Sequence, residues 1–256
     1  MLLVAVYALP IYICLAFRFQ SQHYRLLMGF HRWVCRILNI KVYASGEPSA
    51  HRPLMWVSNH FSYLDIHVLG SLLPVCFTPK SDLAGWPVIG WFARMSGCVF
   101  IDRRKTKTKA NQEQLIVKMR DGHAISLFPE GTTNNGLQLL PFRSSYFSIA
   151  DAFTGDSTLM IQPISIRYTH LEGEPLTPEQ YPLVGWYGDM DFAPHFWQVL
   201  RMRGIGVSVL FHPLLNPSEY QDRKQLAANS QELVEIGYKQ LGSDFSNAHS
   251  GRYTPH

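Results

Sequence analysis

Charge is scarce in this chain. Only 16% of its 256 residues are Asp, Glu, Lys or Arg, against 46% that are hydrophobic. An ordinary soluble domain carries about a quarter charged residues. The shortfall argues for a surface that meets a membrane or a long apolar ligand. Cysteine is scarce as well: Cys14, Cys35, Cys76 and Cys98 stand far apart, with no Cys-x-x-Cys pair and no zinc-finger spacing. Buried thiols in a reducing compartment are the plain reading. No Walker loop, dinucleotide glycine fingerprint or Gly-x-Ser-x-Gly elbow is present, so those chemistries lack their marks. Nor is there a long basic run interleaved with aromatics, and nucleic acid is not an expected partner.

What is there is apolar, aromatic and mildly basic. The chain holds 6 Trp and 15 Phe with a net charge of +4, which suits anionic lipid head groups or phosphate. Residues 2–17 are uncharged and apolar, interrupted by Pro10 and ended by Arg18. That run is shorter than the ~20 residues of a membrane crossing and lacks the basic start and cleavage site of a signal peptide. A marginal span, a helix dipping into one leaflet and a core helix all fit it. In residues 24–40, Leu26, Leu27, Phe30, Trp33, Val34, Ile37 and Leu38 form one helical stripe. Arg25, His31, Arg32 and Arg36 occupy the remaining faces. Such a helix lies on anionic lipid or packs on a core with its wet face outward. Residues 1–40 are therefore expected to be membrane-associating helices, 41–242 the main domain and 243–256 a polar tail.

Beyond residue 40 strand and helix patterns alternate. Strands are expected at 41–44, 54–57, 75–78, 98–101, 124–128, 159–168 and 204–215. Helices are expected at 65–73, 111–120, 195–203 and 222–241, the last stopped by Gly242. Such alternation predicts an α/β fold, a central mixed sheet flanked by helices, with the N-terminal apolar and amphipathic helices as its anchor.

The chemistry gathers where strands end. Residues 56–65 read Trp-Val-Ser-Asn-His-Phe-Ser-Tyr-Leu-Asp. His60 sits where a strand hands over to a helix, and Asp65 on that helix can fold back toward the imidazole. The carboxylate then holds one tautomer and leaves the far nitrogen as a general base. An ordinary cap or surface pair is the plainer alternative. Two further strands end in polar residues, at Asp102-Arg103-Arg104 and at Glu130-Gly131-Thr132-Thr133. Arg103 suits phosphate through its forked guanidinium, while Lys105, Lys107 and Lys109 suit a solvated basic loop. Glu130 suits hydroxyls or a partner Arg, and Gly131 permits close backbone approach; a plain turn is the alternative. Ligands of open α/β sheets bind outside the carboxyl ends of strands, so these ends would share one site. His60, Asp65 and His67 lack a fourth ligand, and no metal is expected.

In these residues the chain resembles the glycerolipid acyltransferase superfamily. Its Asn-His-x-x-x-x-Asp block is matched by Asn59, His60 and Asp65. Its Gly-x-x-Phe-Ile-Asp-Arg block is matched by Gly97, Phe100, Ile101, Asp102 and Arg103. Its Phe-Pro-Glu-Gly-Thr block is matched by Phe128 to Thr132, followed by Leu140, Pro141 and Phe142. Ile161 to Ile164 looks like its apolar Pro-containing strand, and Lys80 stands in the usual linker. The resemblance implies acyl transfer from acyl-CoA or acyl carrier protein, as co-substrate with no further cofactor, to a lysolipid hydroxyl. His60 would be the base and Asp65 its orienting partner. Lys80 and Arg103 would hold the acceptor's phosphate, Glu130 with Gly131 would position its glycerol part, and Thr132 would be a further substrate-binding residue. The main domain is then the acyltransferase domain, expected on the cytoplasmic face of a bacterial inner membrane. The implied acceptor is first 1-acyl-sn-glycerol-3-phosphate. Thr133 stands where many members carry Arg, however, and some relatives acylate lyso-ornithine lipid, which makes that the second reading. A non-catalytic lipid-binding protein of the same fold is the third.

Overall fold

A computed structural model describes residues 2–16, 19–102, 108–153, 155 and 158–247. Its sheet has seven strands: β1 (Ile40–Ser45), β2 (Leu54–Ser58), β3 (Cys76–Phe77), β4 (Ile125–Leu127), β5 (Met160–Leu171), β6 (Glu174–Pro175) and β7 (Ile205–Phe211). The order is β1-β7-β5-β2-β4-β3, with β6 hairpinned onto β5. Strands β5, β2, β4 and β3 run parallel, and β7 pairs antiparallel with β5. The sheet is thus mixed, as expected.

β2 lies in the middle and is buried along its whole length. Its side chains alternate between two cores, because successive residues of a strand point to opposite faces. Leu54 and Trp56 join a core that holds Val68, Leu69 and Val199. Met55 and Val57 join one that holds Leu115, Phe147 and Val234. Helices α2 (Gln20–Ile37), α3 (Leu64–Leu72), α6 (Tyr181–Val184) and α7 (Phe192–Val199) therefore supply one layer. The 3₁₀ stretch Ser144–Ala152 and helices α5 (Thr108–Arg120) and α8 (Arg223–Asn247) supply the other. Burial on both faces is why these strands read as apolar runs.

Several local expectations change. The N-terminal helix α1 (Leu2–Ala16) continues through Pro10, although proline cannot donate a main-chain bond there. Its Ile11 is fully buried against Tyr24 and Leu27 of α2. No helix among the described residues is long and apolar enough to cross a membrane. The buried face of α2 is His23, Tyr24, Leu27, Phe30, His31 and Cys35, so Trp33 and Ile37 stay exposed while His31 goes inside. The stripe is rotated because α2 packs on α3, where Gly70 leaves room for the His31 ring. Residues 98–101 do not form a regular strand: a single bridge joins Ile101 to Lys80.

Gly242 does not stop α8, which runs on to Asn247. A Cβ at 242 would lie 2.4 Å from the Arg167 guanidinium carbon. That side chain also stacks over Tyr238 at 4.5 Å, so the glycine serves packing. Residues 248–256 of the expected tail lie outside the described residues.

Candidate active site

The main chain leaves the sheet after Ser58, but Asn59 keeps its hold. Its side-chain amide donates to the Ile166 carbonyl at 2.8 Å and accepts from the Ile166 N–H at 2.9 Å. The amide thus imitates one more residue of pairing between β2 and β5. His60 projects just beyond this point, stacked on Phe128 with ring centroids 3.9 Å apart and planes 14° from parallel.

Asp65, near the start of α3, is fully buried and fully used. Its Oδ2 accepts from His60 Nδ1 at 2.8 Å, from the Phe61 N–H at 2.8 Å and from the Ser62 N–H at 3.0 Å. Its Oδ1 accepts from the Tyr168 hydroxyl at 2.8 Å. Four donors compensate a buried negative charge. An ionised Asp65 requires the His60 proton on Nδ1, which leaves Nε2 with the lone pair. The Phe61 and Ser62 N–H groups before α3 are thus both taken by Asp65.

Glu130 follows β4, the neighbour of β2. Its Oε1 accepts from the His60 N–H at 2.7 Å, its Oε2 from the Leu140 N–H at 2.8 Å, and Asn134 Nδ2 donates to both. Asn134 in turn donates its own N–H to the His60 carbonyl at 2.7 Å. Burial pushes the Glu130 carboxyl up from its ordinary 4.5 to about 7, against the opposing pull of these hydrogen bonds. Glu130 was expected to meet the acceptor. Its oxygens are instead engaged by protein donors and the residue is buried, so it clamps the His60 turn to the 130s loop.

Beside His60 opens a cleft of about 470 Å³. Lys80, Gly131 and Thr132 line it, together with Trp86 and Trp186. Lys80 is ion-paired with Asp82, and both are substantially exposed. Gly131 has φ +76°, and a Cβ there would lie 2.8 Å from the Arg143 guanidinium carbon. It is therefore required both by its backbone conformation and by its neighbour. Ile101 is fixed at the cleft edge by bonds to Pro79 and Ser81. Arg103, two residues on, lies outside the described residues, as do Arg104, Lys105 and Lys107. His67 faces His31, Nδ1 to Nδ1 at 3.0 Å. Burial lowers both imidazoles, His67 to about 4, so the pair is neutral. No group of three or more His, Cys, Asp or Glu residues set to hold a metal occurs among the described residues.

A family model described as Acyltransferase matches residues 39–167, the span from β1 through most of β5. Lyso-ornithine lipid O-acyltransferase of Rhodobacter capsulatus is 40% identical over 229 residues, covering 84% of this chain and 81% of that protein. The chain belongs to the acyltransferase family. The 1-acyl-sn-glycerol-3-phosphate acyltransferase of Neisseria gonorrhoeae is also similar, 26% identical over 74% of this chain and 71% of that protein. The crystal structure of the 1-acyl-sn-glycerophosphate acyltransferase PlsC of Thermotoga maritima superposes with a TM-score of 0.66 at 19% identity, over 98% of this chain and 97% of that one. The fold is shared.

Within the acyltransferase, local spacing brings His60 and Asp65 together. Three neighbours were not foreseen: Tyr168 on Asp65, Asn134 on Glu130 and Arg143 on Gly131. Tyr168 is 103 positions from Asp65, and nothing local to either residue signals the contact. Asn134 had a weak signal, since it lies four residues after Glu130 in the same loop.

Proposed function

We propose that this acyltransferase moves an acyl group from a thioester donor, acyl-CoA or acyl carrier protein, to the hydroxyl of a lyso-ornithine lipid. The observation that carries the chemistry is the His60–Asp65 pair beside the cleft, with Nδ1 committed to a carboxylate that four protein donors hold. His60 Nε2 takes the proton of the acceptor hydroxyl as its oxygen attacks the thioester carbonyl. The tetrahedral intermediate expels the thiolate, which receives that proton from the imidazolium. Asp65 stabilises the imidazolium, and Phe128 keeps the ring plane fixed. No covalent acyl-enzyme is needed, because the thioester is already activated. Lys80 binds the acid group of the acceptor. Arg103 is assigned a second contact to it, and Gly131 and Thr132 form the floor beneath the head group.

The order of acceptors read from the sequence is reversed here. The Rhodobacter relative is more similar than the Neisseria one, and Thr133 supplies no cation for a doubly charged phosphomonoester. Exposed apolar side chains on α1, α2 and α4 (Ile89–Met95), among them Val6, Tyr12, Trp33, Ile37, Ile89 and Trp91, support seating on one leaflet, at the cytoplasmic face of a bacterial inner membrane. The test is a panel of purified lysolipids with acyl-CoA and acyl carrier protein donors, scored by product mass. Diacylated ornithine lipid is expected to dominate. A panel in which only phosphatidic acid appears would sink the acceptor assignment, and turnover unaffected by His60→Ala would sink the base.

A further inference from the structure

One wall of the cleft is aromatic. Trp86, Trp186 and Tyr63 all line it. Phe192 braces all three from behind, with ring centroids 5.0 Å from Tyr63, 5.4 Å from Trp86 and 6.2 Å from Trp186. Tyr63 and Trp186 meet edge to face at 6.0 Å. The Tyr63 hydroxyl is hydrogen-bonded to His195 Nδ1 at 3.1 Å, which fixes the phenol from outside the wall. The Trp186 Nε1 is buried away from solvent, so the accessible part of that indole is carbon ring. All three lining rings remain partly exposed. Together with Phe192 they form one packed aromatic cluster on that wall.

Among the described residues that line the cleft, Lys80 and Asp82 balance each other. Lys80 is the sole Lys or Arg lining it among the described residues, and Asp82 is ion-paired with it. A wall of π faces attracts cations and repels anions, because each face is the negative pole of a ring quadrupole. A dianionic phosphomonoester gains nothing from it. An ornithine joined to a fatty acid through one amino group keeps the other as an ammonium, beside its carboxylate. Such a zwitterion offers its carboxylate to Lys80 and the contact assigned to Arg103, and its ammonium to the aromatic wall.

The geometry points to Trp86, Trp186 and Tyr63 as the subsite for the primary ammonium of the acceptor head group, with Lys80 holding the carboxylate. This rests on the lyso-ornithine reading above. The rival occupant of the wall is an acyl chain, which would use the same rings as plain apolar surface.

The test uses the full chain with two acceptors: lyso-ornithine lipid and the same lipid with its free amine acetylated, which is uncharged at that end. Wild type should prefer the ammonium form in kcat/KM by about two- to thirtyfold. Trp86→Leu and Trp186→Leu keep apolar bulk but remove a π face. They should bring that preference toward unity, read as the ratio of the two acceptors' kcat/KM and not from the absolute rate of either. Trp86→Phe and Trp186→Phe should retain most of the preference, which separates loss of the π face from loss of the fold. Equal use of the two acceptors by wild type overturns the subsite. So does a leucine variant that slows both acceptors alike while the phenylalanine variant restores both alike, since that is the behaviour of an acyl-chain wall. Turnover of lysophosphatidic acid with neither ornithine acceptor touched overturns the acceptor assignment itself, and the subsite with it.

Discussion

The turn that holds Asp65 and the rim that holds Lys80 face the same cleft but are built in opposite ways. Asp65 is out of contact with water and accepts four hydrogen bonds from the protein. Lys80 has a single carboxylate partner on the surface, with 46% of its side chain and 64% of that of Asp82 exposed. Surface ion pairs contribute little, about 0–1 kcal/mol, whereas breaking a buried charge's set of partners is costly. The half of the site proposed to move a proton is thus tied into the core. The half proposed to choose a head group can change without disturbing it.

The sharpest way to break this contrast is at Asp65. Asp65→Asn places an amide where Phe61 and Ser62 already donate, and it no longer favours the Nδ1–H tautomer of His60. Activity should fall by roughly 10³–10⁴-fold with the secondary structure by circular dichroism retained. A variant within tenfold of wild type would show that the carboxylate does not orient the base.

Tyr168→Phe is milder. It removes one of the four donors and leaves a buried lone pair without a partner, so the fold should lose about 1–3 kcal/mol in denaturant titration. The rate should drop by roughly tenfold in kcat, with KM little changed. A change confined to KM would move Tyr168 from the Asp65 side of the comparison to the rim side.

Glu130 gives the smallest effect and tests the clamp. Its carboxyl is raised in the fold from 4.5 to about 7 by burial. Between those values the folded chain keeps a proton that the unfolded chain releases. Its contribution is present at low pH and is lost as pH rises through about 7. Glu130→Gln removes that loss, so the Tm of the variant minus that of wild type should climb from about pH 5 to about pH 8. The offset from seating an amide among N–H donors is constant and does not affect the slope. A flat difference would mean that the carboxyl titrates normally in place.

Local chemistry carries only part of this molecule. The strands of the parallel core and helix α3 follow from apolar runs and helical spacing, and the His60–Asp65 contact follows from five positions of separation at a strand-to-helix junction. What stayed hidden depends on partners remote in the chain. Gly242 reads as a stop until Arg167 is seen lying across it. His31 reads as a polar-face residue until His67 is found opposite it. Glu130 reads as a ligand-binding carboxylate until Asn134, Leu140 and the His60 amide converge on it. In each case the residue type was informative and the neighbour was not yet known.

The Asn59 amide has a consequence for anyone moving this loop to another scaffold. The segment that presents His60 is spliced to β5 by a side chain, so its anchor point is Ile166, 107 positions away. A transplant that carries the loop and leaves that strand behind delivers the imidazole without the fastening that aims it.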